Sequence, residues 1–317
     1  MQSLNLSPHS FSGKPKNIVW FQIAGFQVEH LAMIRFSSPQ SAITSFEDVH
    51  CSGSSWNYNL YGLRPKASEG FMSQIVGSKN ITGTCEDYSR KPIWGFLNQS
   101  SHKVGIFEID AGKGSLSTAN SCLGKQGFLS NTYLWKMEKG GKDELFHYLG
   151  KQKFEKNKVY YDKSCLKGNC FATLYDNVKS LWNRFKKEQG QSVFIIRDFS
   201  FLKALKAKDI PKAREILVEL EKTLKFMKEE NQKSNDTLYL VTSSESQNIE
   251  LPKKGKEWFE FESKGRNVLF KNTSLLSPVL AKGPGSENFC GIYEEFEILK
   301  RVFWETDKKS WNPLDVF

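Results

Sequence analysis

The chain has 317 residues, 39% of them hydrophobic and 13% aromatic, with 45 Lys and Arg against 35 Asp and Glu for a net charge of +10. This much apolar and aromatic side chain excludes a disordered protein and supplies a sizeable core, and no apolar run approaches the ~18 residues that span a bilayer. The positive excess favours anionic partners, but pairs such as Lys186-Lys187, Lys253-Lys254 and Lys308-Lys309 are scattered, not aligned with interleaved aromatics, which reads as a solvated surface and argues against nucleic acid.

Residues 1–16 lack the apolar centre of a signal peptide, so the expectation is a cytosolic protein or one whose signal has been removed. Apolar runs at Asn17–Ile23 (NIVWFQI) and Lys103–Ile109 (KVGIFEI) predict strands. The Lys- and Gly-rich stretch from Lys136 onward predicts a flap or excursion over residues 136–170. Leu174–Gln189 predicts a helix, Ser192–Arg197 (SVFIIR) a strand, and Pro211 opens a helix with Ile216, Leu217, Leu220, Leu224 and Met227 at helical spacing. Strands follow at Thr237–Thr242, Asn267–Lys271 and Pro278–Ala281, and Gly291–Phe303 predicts a closing helix with Ile292, Phe296, Leu299 and Phe303 on one side. This alternation predicts an α/β fold over residues 1–317 as one domain, a mostly parallel central sheet sandwiched between helices, with ligand sites beyond the carboxyl ends of the strands.

The six cysteines, Cys51, Cys85, Cys122, Cys165, Cys170 and Cys290, show neither CxxC spacing nor a nearby histidine pair, which argues against a zinc site. Cys165 and Cys170 enclose Leu-Lys-Gly-Asn, a reversal suited to a short-loop disulfide and hence to an oxidising compartment. The alternative is six reduced, buried thiols. His30, His50 and His102 fall in no triad spacing. Asp110 and Lys113, in the turn IDAGKGSL, are a weak candidate for anion binding.

The stretch Pro278–Trp304 (PVLAKGPGSENFCGIYEEFEILKRVFW) resembles the closing strand, Ala-x-Gly-Pro turn and Gly-x-x-(Glu/Asp)-(Gln/Glu) segment of alkaline phosphatases. Ala213–Ser246 resembles the family's long helix and Thr-Ala-Asp-His strand end, and Ser192–Asp209 its Val-Glu-Gly segment. Asn17–His30 stands where the family has Gly-Asp-Gly, and Ala67–Gly83 resembles the segment that opens with its nucleophile. In order and spacing the resemblance covers most of the chain.

The resemblance implies two zinc ions and a magnesium that activate a serine and clamp a phosphoryl group, which requires carboxylate or imidazole ligands. Position by position, the expected Asp residues match Ala24 and Ala67, and the Glu of Val-Glu-Gly matches Arg197. The downstream Asp and His match Leu202 and Lys206, Asp-His matches Ser244 and Glu245, and the late His matches Asn272. Only Glu245 retains a ligating group. Ser68 occupies the nucleophile position, where a helix cap, a ligand contact and a nucleophile all remain open. The phosphate-holding arginine is also missing, since no arginine lies between Arg90 and Arg184.

The expectation is therefore a catalytically inactive alkaline-phosphatase-like protein, its zinc and magnesium lost, that keeps the scaffold to bind a protein or anionic ligand. An Arg197–Glu245 ion pair is expected to fill the former metal volume. The alternatives are an altered-mechanism hydrolase or phosphotransferase using Ser68, and a basic binder of an anionic polymer or membrane surface. The resemblance further implies a periplasmic or secreted location and the option of a homodimer, with Trp56-Asn57-Tyr58 and Trp304–Trp311 as interface candidates.

Overall fold

The computed structural model describes residues 15–36, 43–97, 102–138, 144–166, 170–185, 190–231, 236–253 and 255–303. Trp304–Trp311, Lys186–Gln189 and the Lys-Gly-Asn of the Cys165–Cys170 loop lie outside them. The described strands are β1 (Asn17–Ala24), β2 (Cys51–Trp56), β3 (Lys103–Ile109), β4 (Thr132–Met137), β5 (Leu145–Phe146), β6 (Val159–Asp162), β7 (Ser192–Asp198), β8 (Thr237–Ser244), β9 (Gln247–Glu250), β10 (Leu269–Thr273), β11 (Leu276–Lys282) and β12 (Gly291–Glu294). The helices are α1 (Ala32–Arg35), α2 (Ala67–Val76), α3 (Ile93–Leu97), α4 (Leu174–Phe185), α5 (Ser200–Lys206), α6 (Ile210–Glu230), α7 (Gly255–Lys264) and α8 (Ile298–Phe303).

Ten strands form one sheet in the order β12-β2-β11-β8-β1-β7-β3-β4-β6-β5. Every pairing in it is parallel except the two made by β11, which runs antiparallel to β8 and β2. The fold is α/β with a mostly parallel central sheet between helices. Alternate residues of the apolar strands serve the two layers: Phe194 and Ile196 of β7 pack with Leu181 and Trp182 of α4 and Leu217 of α6, while Val193 and Ile195 pack with Ile75 of α2 and Ile298 of α8. Burial on both faces explains why these strands read as continuous apolar runs.

The apolar stripe of α6 is laid down as its spacing predicts, with Leu217, Leu220, Leu224 and Met227 buried and the Asp209 carboxylate accepting from the Lys212 N–H at 3.0 Å as its cap. Gly291–Phe303 differs from the expected single helix. Gly291–Glu294 pairs with β2 as an edge strand, and only Ile298–Phe303 is α-helical. The predicted strand at Asn267–Lys271 forms as β10, but in a separate two-stranded sheet with β9. Within 136–170, β5 and β6 extend the main sheet beyond β4.

Strand β2 (CSGSSW) lacks an apolar run because backbone crowds it: a Cβ on Gly53 would lie 2.1 Å from the Phe289 carbonyl oxygen. The same corner is closed covalently by Cys51–Cys290, and Cys85–Cys122 and the expected Cys165–Cys170 bridge complete three disulfides. Cys51–Cys290 joins positions 239 residues apart, so replacing both by alanine should lower stability by on the order of 4 kcal/mol. Denaturant unfolding of the oxidised parent and double variant checks this; unchanged stability would contradict it.

Candidate functional site at the carboxyl ends of the strands

Parallel pairing aligns the ends of β1, β7 and β8, with Ala24 opposite Ser244 and Ile23 opposite both Asp198 and Ser243. Gly25 turns the chain sharply at φ +81°, and its N–H donates to the Ser244 carbonyl at 2.9 Å. Helix α5 starts here because the buried Asp198 carboxylate accepts from the N–H groups of Ser200 at 3.2 Å and Phe201 at 3.0 Å. Burial pushes the Asp198 carboxyl up to about 6, against those hydrogen bonds.

Three of the sequence-selected positions come together at this end. Ala24, Ala67 and Leu202 form one buried apolar cluster with Phe71, flanked by Phe199, whose ring lies edge-on to Phe71 at 5.4 Å. Leu202 sits against Gly25 so closely that a Cβ there would be 2.8 Å from its Cδ1. Nearby, the Glu245 carboxylate pairs with the Lys206 ammonium and accepts the Ala67 N–H at 2.8 Å. That is a favourable place for an anion, at the first turn of α2.

Arg197 does not meet Glu245. It is fully buried and pairs with Glu108, while its Nε donates to Gln22 Oε1 at 3.1 Å. Cross-strand register explains the choice: Gln22, Arg197 and Glu108 are direct neighbours on β1, β7 and β3, and the same row continues to Thr242 on β8 and Lys136 on β4. All five are buried. Glu108 also accepts from the Ser115 hydroxyl at 2.5 Å and the Leu116 N–H at 2.9 Å. Burial pulls the Arg197 guanidinium below its ordinary value and the Glu108 charge opposes this.

The row is tied to α2 through Gln74. Its Oε1 accepts from Gln22 at 3.0 Å and Thr242 at 2.7 Å, and its Nε2 donates to Glu295 Oε1 at 2.8 Å. Glu295, Ser244 and Gly70 are in close contact; a Cβ on Gly70 would lie 1.9 Å from Ser244 Oγ, so only glycine fits. Burial pushes Glu295 up to about 7, opposed by the hydrogen bond from Gln74. Sequence reading missed Glu108, Gln22, Gln74 and Glu295; Glu108 and Gln22 stand out as polar residues inside apolar runs, whereas Glu295 lies among Glu294, Phe296 and Glu297 and carries no such signal.

Ser68 is the second residue of α2 and not its cap, which is Lys66; Gly114 packs against its Cβ. No hydrogen bond joins Ser68 to a base among the described residues. Asn272 is exposed on β10, in the small sheet. His30 is buried and driven down to about 3 by desolvation, hence neutral, and its Nδ1 accepts the Gln27 N–H at 3.1 Å. His102 is lowered by desolvation, and His50 Nδ1 accepts the Gly283 N–H at 3.3 Å. In the Asp110 turn, the carboxylate is held by Lys203 at 2.7 Å and the Gly112 N–H by Glu138 at 3.2 Å, leaving no anion cradle.

The side chains at the positions matched to metal ligands do not fit zinc or magnesium: they are alkyl groups, a hydroxyl, an amide, a guanidinium, an ammonium and one carboxylate already paired. Among the described residues, Asp162, Cys165 and Cys170 converge as a candidate metal group. Both sulfurs are joined to each other, and Asp162 accepts from Ser164 and Asn177 at 2.8 Å, so no thiolate is offered.

No protein-family model and no curated protein matches the sequence. Solved structures do match the fold. Alkaline phosphatase from the Antarctic bacterium TAB5 is similar with a TM-score of 0.68 at 16% identity, covering 92% of this chain and 98% of that one. Alkaline phosphatase from Thermus thermophilus is similar with a TM-score of 0.70 at 11% identity, covering 92% and 91%. The lipoteichoic acid synthase LtaP from Listeria monocytogenes is similar at 0.51 and 12%, covering 93% and 73%. The chain thus has an alkaline-phosphatase-like fold.

Two outcomes follow from the buried polar row. Arg197→Met leaves Glu108 buried without its cation and should cost about 3–5 kcal/mol, much of it recovered by adding Glu108→Gln; additive losses in denaturant unfolding would contradict the coupling. Glu295 keeps its proton up to about 7 when folded against an ordinary 4.5, so its contribution is complete below 4.5 and lost as pH rises through 7. Glu295→Gln should remove that loss, worth about 3 kcal/mol at ~1.4 kcal/mol per pKa unit. Unfolding free energies of parent and variant from pH 4 to 8 should therefore diverge upward; parallel curves would contradict this.

Proposed function

We propose that this protein is a catalytically inactive member of the alkaline phosphatase fold class, kept as a scaffold for binding a protein or an anionic ligand. The observation that carries this reading is the closed apolar contact of Ala24, Ala67, Phe71 and Leu202, in which Ala24, Ala67 and Leu202 stand at positions matched to metal-binding aspartates of the family. Carbon there cannot ligate a divalent ion, and the neighbouring Arg197 and Lys206 add positive charge already neutralised by Glu108 and Glu245. A phosphomonoesterase of this class depends on its ions for both nucleophile activation and leaving-group stabilisation, so the scaffold is left without its chemistry.

A serine nucleophile needs a base or a metal to take or depress its proton, and among the described residues no hydrogen bond links Ser68 to a base. The same reading assigns the protein to the periplasm or the cell exterior, supported by the three disulfides, which persist in oxidising compartments. Among the described residues no helix is long and apolar enough to cross a membrane.

The test is phosphomonoester turnover by purified protein supplied with zinc and magnesium, alongside Ser68→Ala. The expected result is the buffer rate for both. Turnover that disappears in Ser68→Ala would establish an enzyme of altered mechanism instead.

A further inference from the structure

A second feature lies toward the amino ends of the strands, where the close of α4 leads into β7. A cavity of about 460 Å³ opens there between β4, the last turn of α4 and the segment Gly150–Phe154. Its volume is in the range of small-molecule sites. Trp135 and Phe185, both almost fully buried, line it, with Phe154 edge-on to Trp135 at 5.3 Å. Its charged lining residues are Lys151, Lys153 and Arg184, with no Asp or Glu among the described ones.

Arg184 is the unusual member. Its Nη2 donates to the carbonyl oxygens of Gly150 and Tyr148, its guanidinium lies 5.6 Å from the Phe154 ring, and its Nη1 is buried with no hydrogen-bond partner. No carboxylate among the described residues balances it, and desolvation pulls it below its ordinary value. The Trp135 indole Nε1 is likewise buried without an acceptor. A guanidinium with no carboxylate partner among the described residues keeps a charge that a ligand oxyanion can neutralise. The aromatic lining, meanwhile, suits a flat apolar body.

We propose that this cavity binds a small organic anion, a carboxylate or phosphate carried on an aromatic ring system, with Arg184, Lys151 and Lys153 taking the charge and Trp135, Phe154 and Phe185 the ring. The site is independent of the reading given above for the carboxyl ends of the strands.

Calorimetric titration of the full chain with two matched pairs tests it: naphthoate against naphthalenemethanol, and adenosine monophosphate against adenosine. The expected result is one site per chain and at least one anion bound about tenfold or more tighter than its neutral counterpart, as a charge-assisted hydrogen bond requires. Preference for naphthoate assigns the carboxylate, and preference for the nucleotide assigns the phosphate. Arg184→Gln should erase the preference. The double variant Lys151→Ala/Lys153→Ala, at two exposed positions, should weaken it severalfold even if the arginine variant does not fold. Equal affinity within both pairs, absence of saturation, or an anion preference left undiminished in the lysine variant would overturn the proposal.

Discussion

The buried Arg197–Glu108 ion pair is the interaction on which the rest of this structure depends. A guanidinium in the middle of a ten-stranded sheet has no access to water, so every neighbour in its row must answer it. Glu108 does so on one side and Gln22 on the other, and Gln22 then requires Gln74, which in turn orders Thr242 and Glu295. One charge thereby fixes polar residues on β1, β3, β7 and β8 and locks α2 onto the sheet. Such networks are valuable only when complete, and this one places each member within hydrogen-bond reach of the next.

That arrangement explains the chemistry of the strand ends. The polar row lies one step inside the carboxyl ends, and the apolar contact of Ala24, Ala67, Phe71 and Leu202 seals the next layer. Charge is neutralised by side chains of the chain itself: Glu108 for Arg197, Lys206 for Glu245, Lys203 for Asp110. By contrast, the charged residues that line the cavity beside Arg184 are all basic among the described ones, and it lies toward the opposite ends of the strands. Balance at one end and imbalance at the other is the physical reason for seeking a ligand at the second.

Much of the sheet was legible in the sequence. NIVWFQI, KVGIFEI, SVFIIR and TLYLVT are apolar through their lengths because both faces are covered, and they are the adjacent strands β8-β1-β7-β3. β2 and β12 were not legible, since their composition follows close backbone approach at Gly53 and an exposed edge, which no periodicity reports. The apolar cluster could be assembled from a family resemblance alone, because Ala24, Ala67 and Leu202 lie far apart in the chain. The expected partner of Arg197, Glu245, follows from being the one acid left among the matched metal positions, whereas the strand register pairs Arg197 with Glu108. The better signal was Glu108, an acid set in an otherwise apolar strand that had to find a cation in register.

The proposed loss of function requires strand ends that take up no catalytic metal. Crystals soaked in zinc, with data collected on both sides of the zinc absorption edge, test it most directly. The account predicts no anomalous peak bounded by Ala24, Ser68, Arg197 and Glu245. A zinc ion there, with Glu245 released from Lys206 to ligate it, would contradict the account.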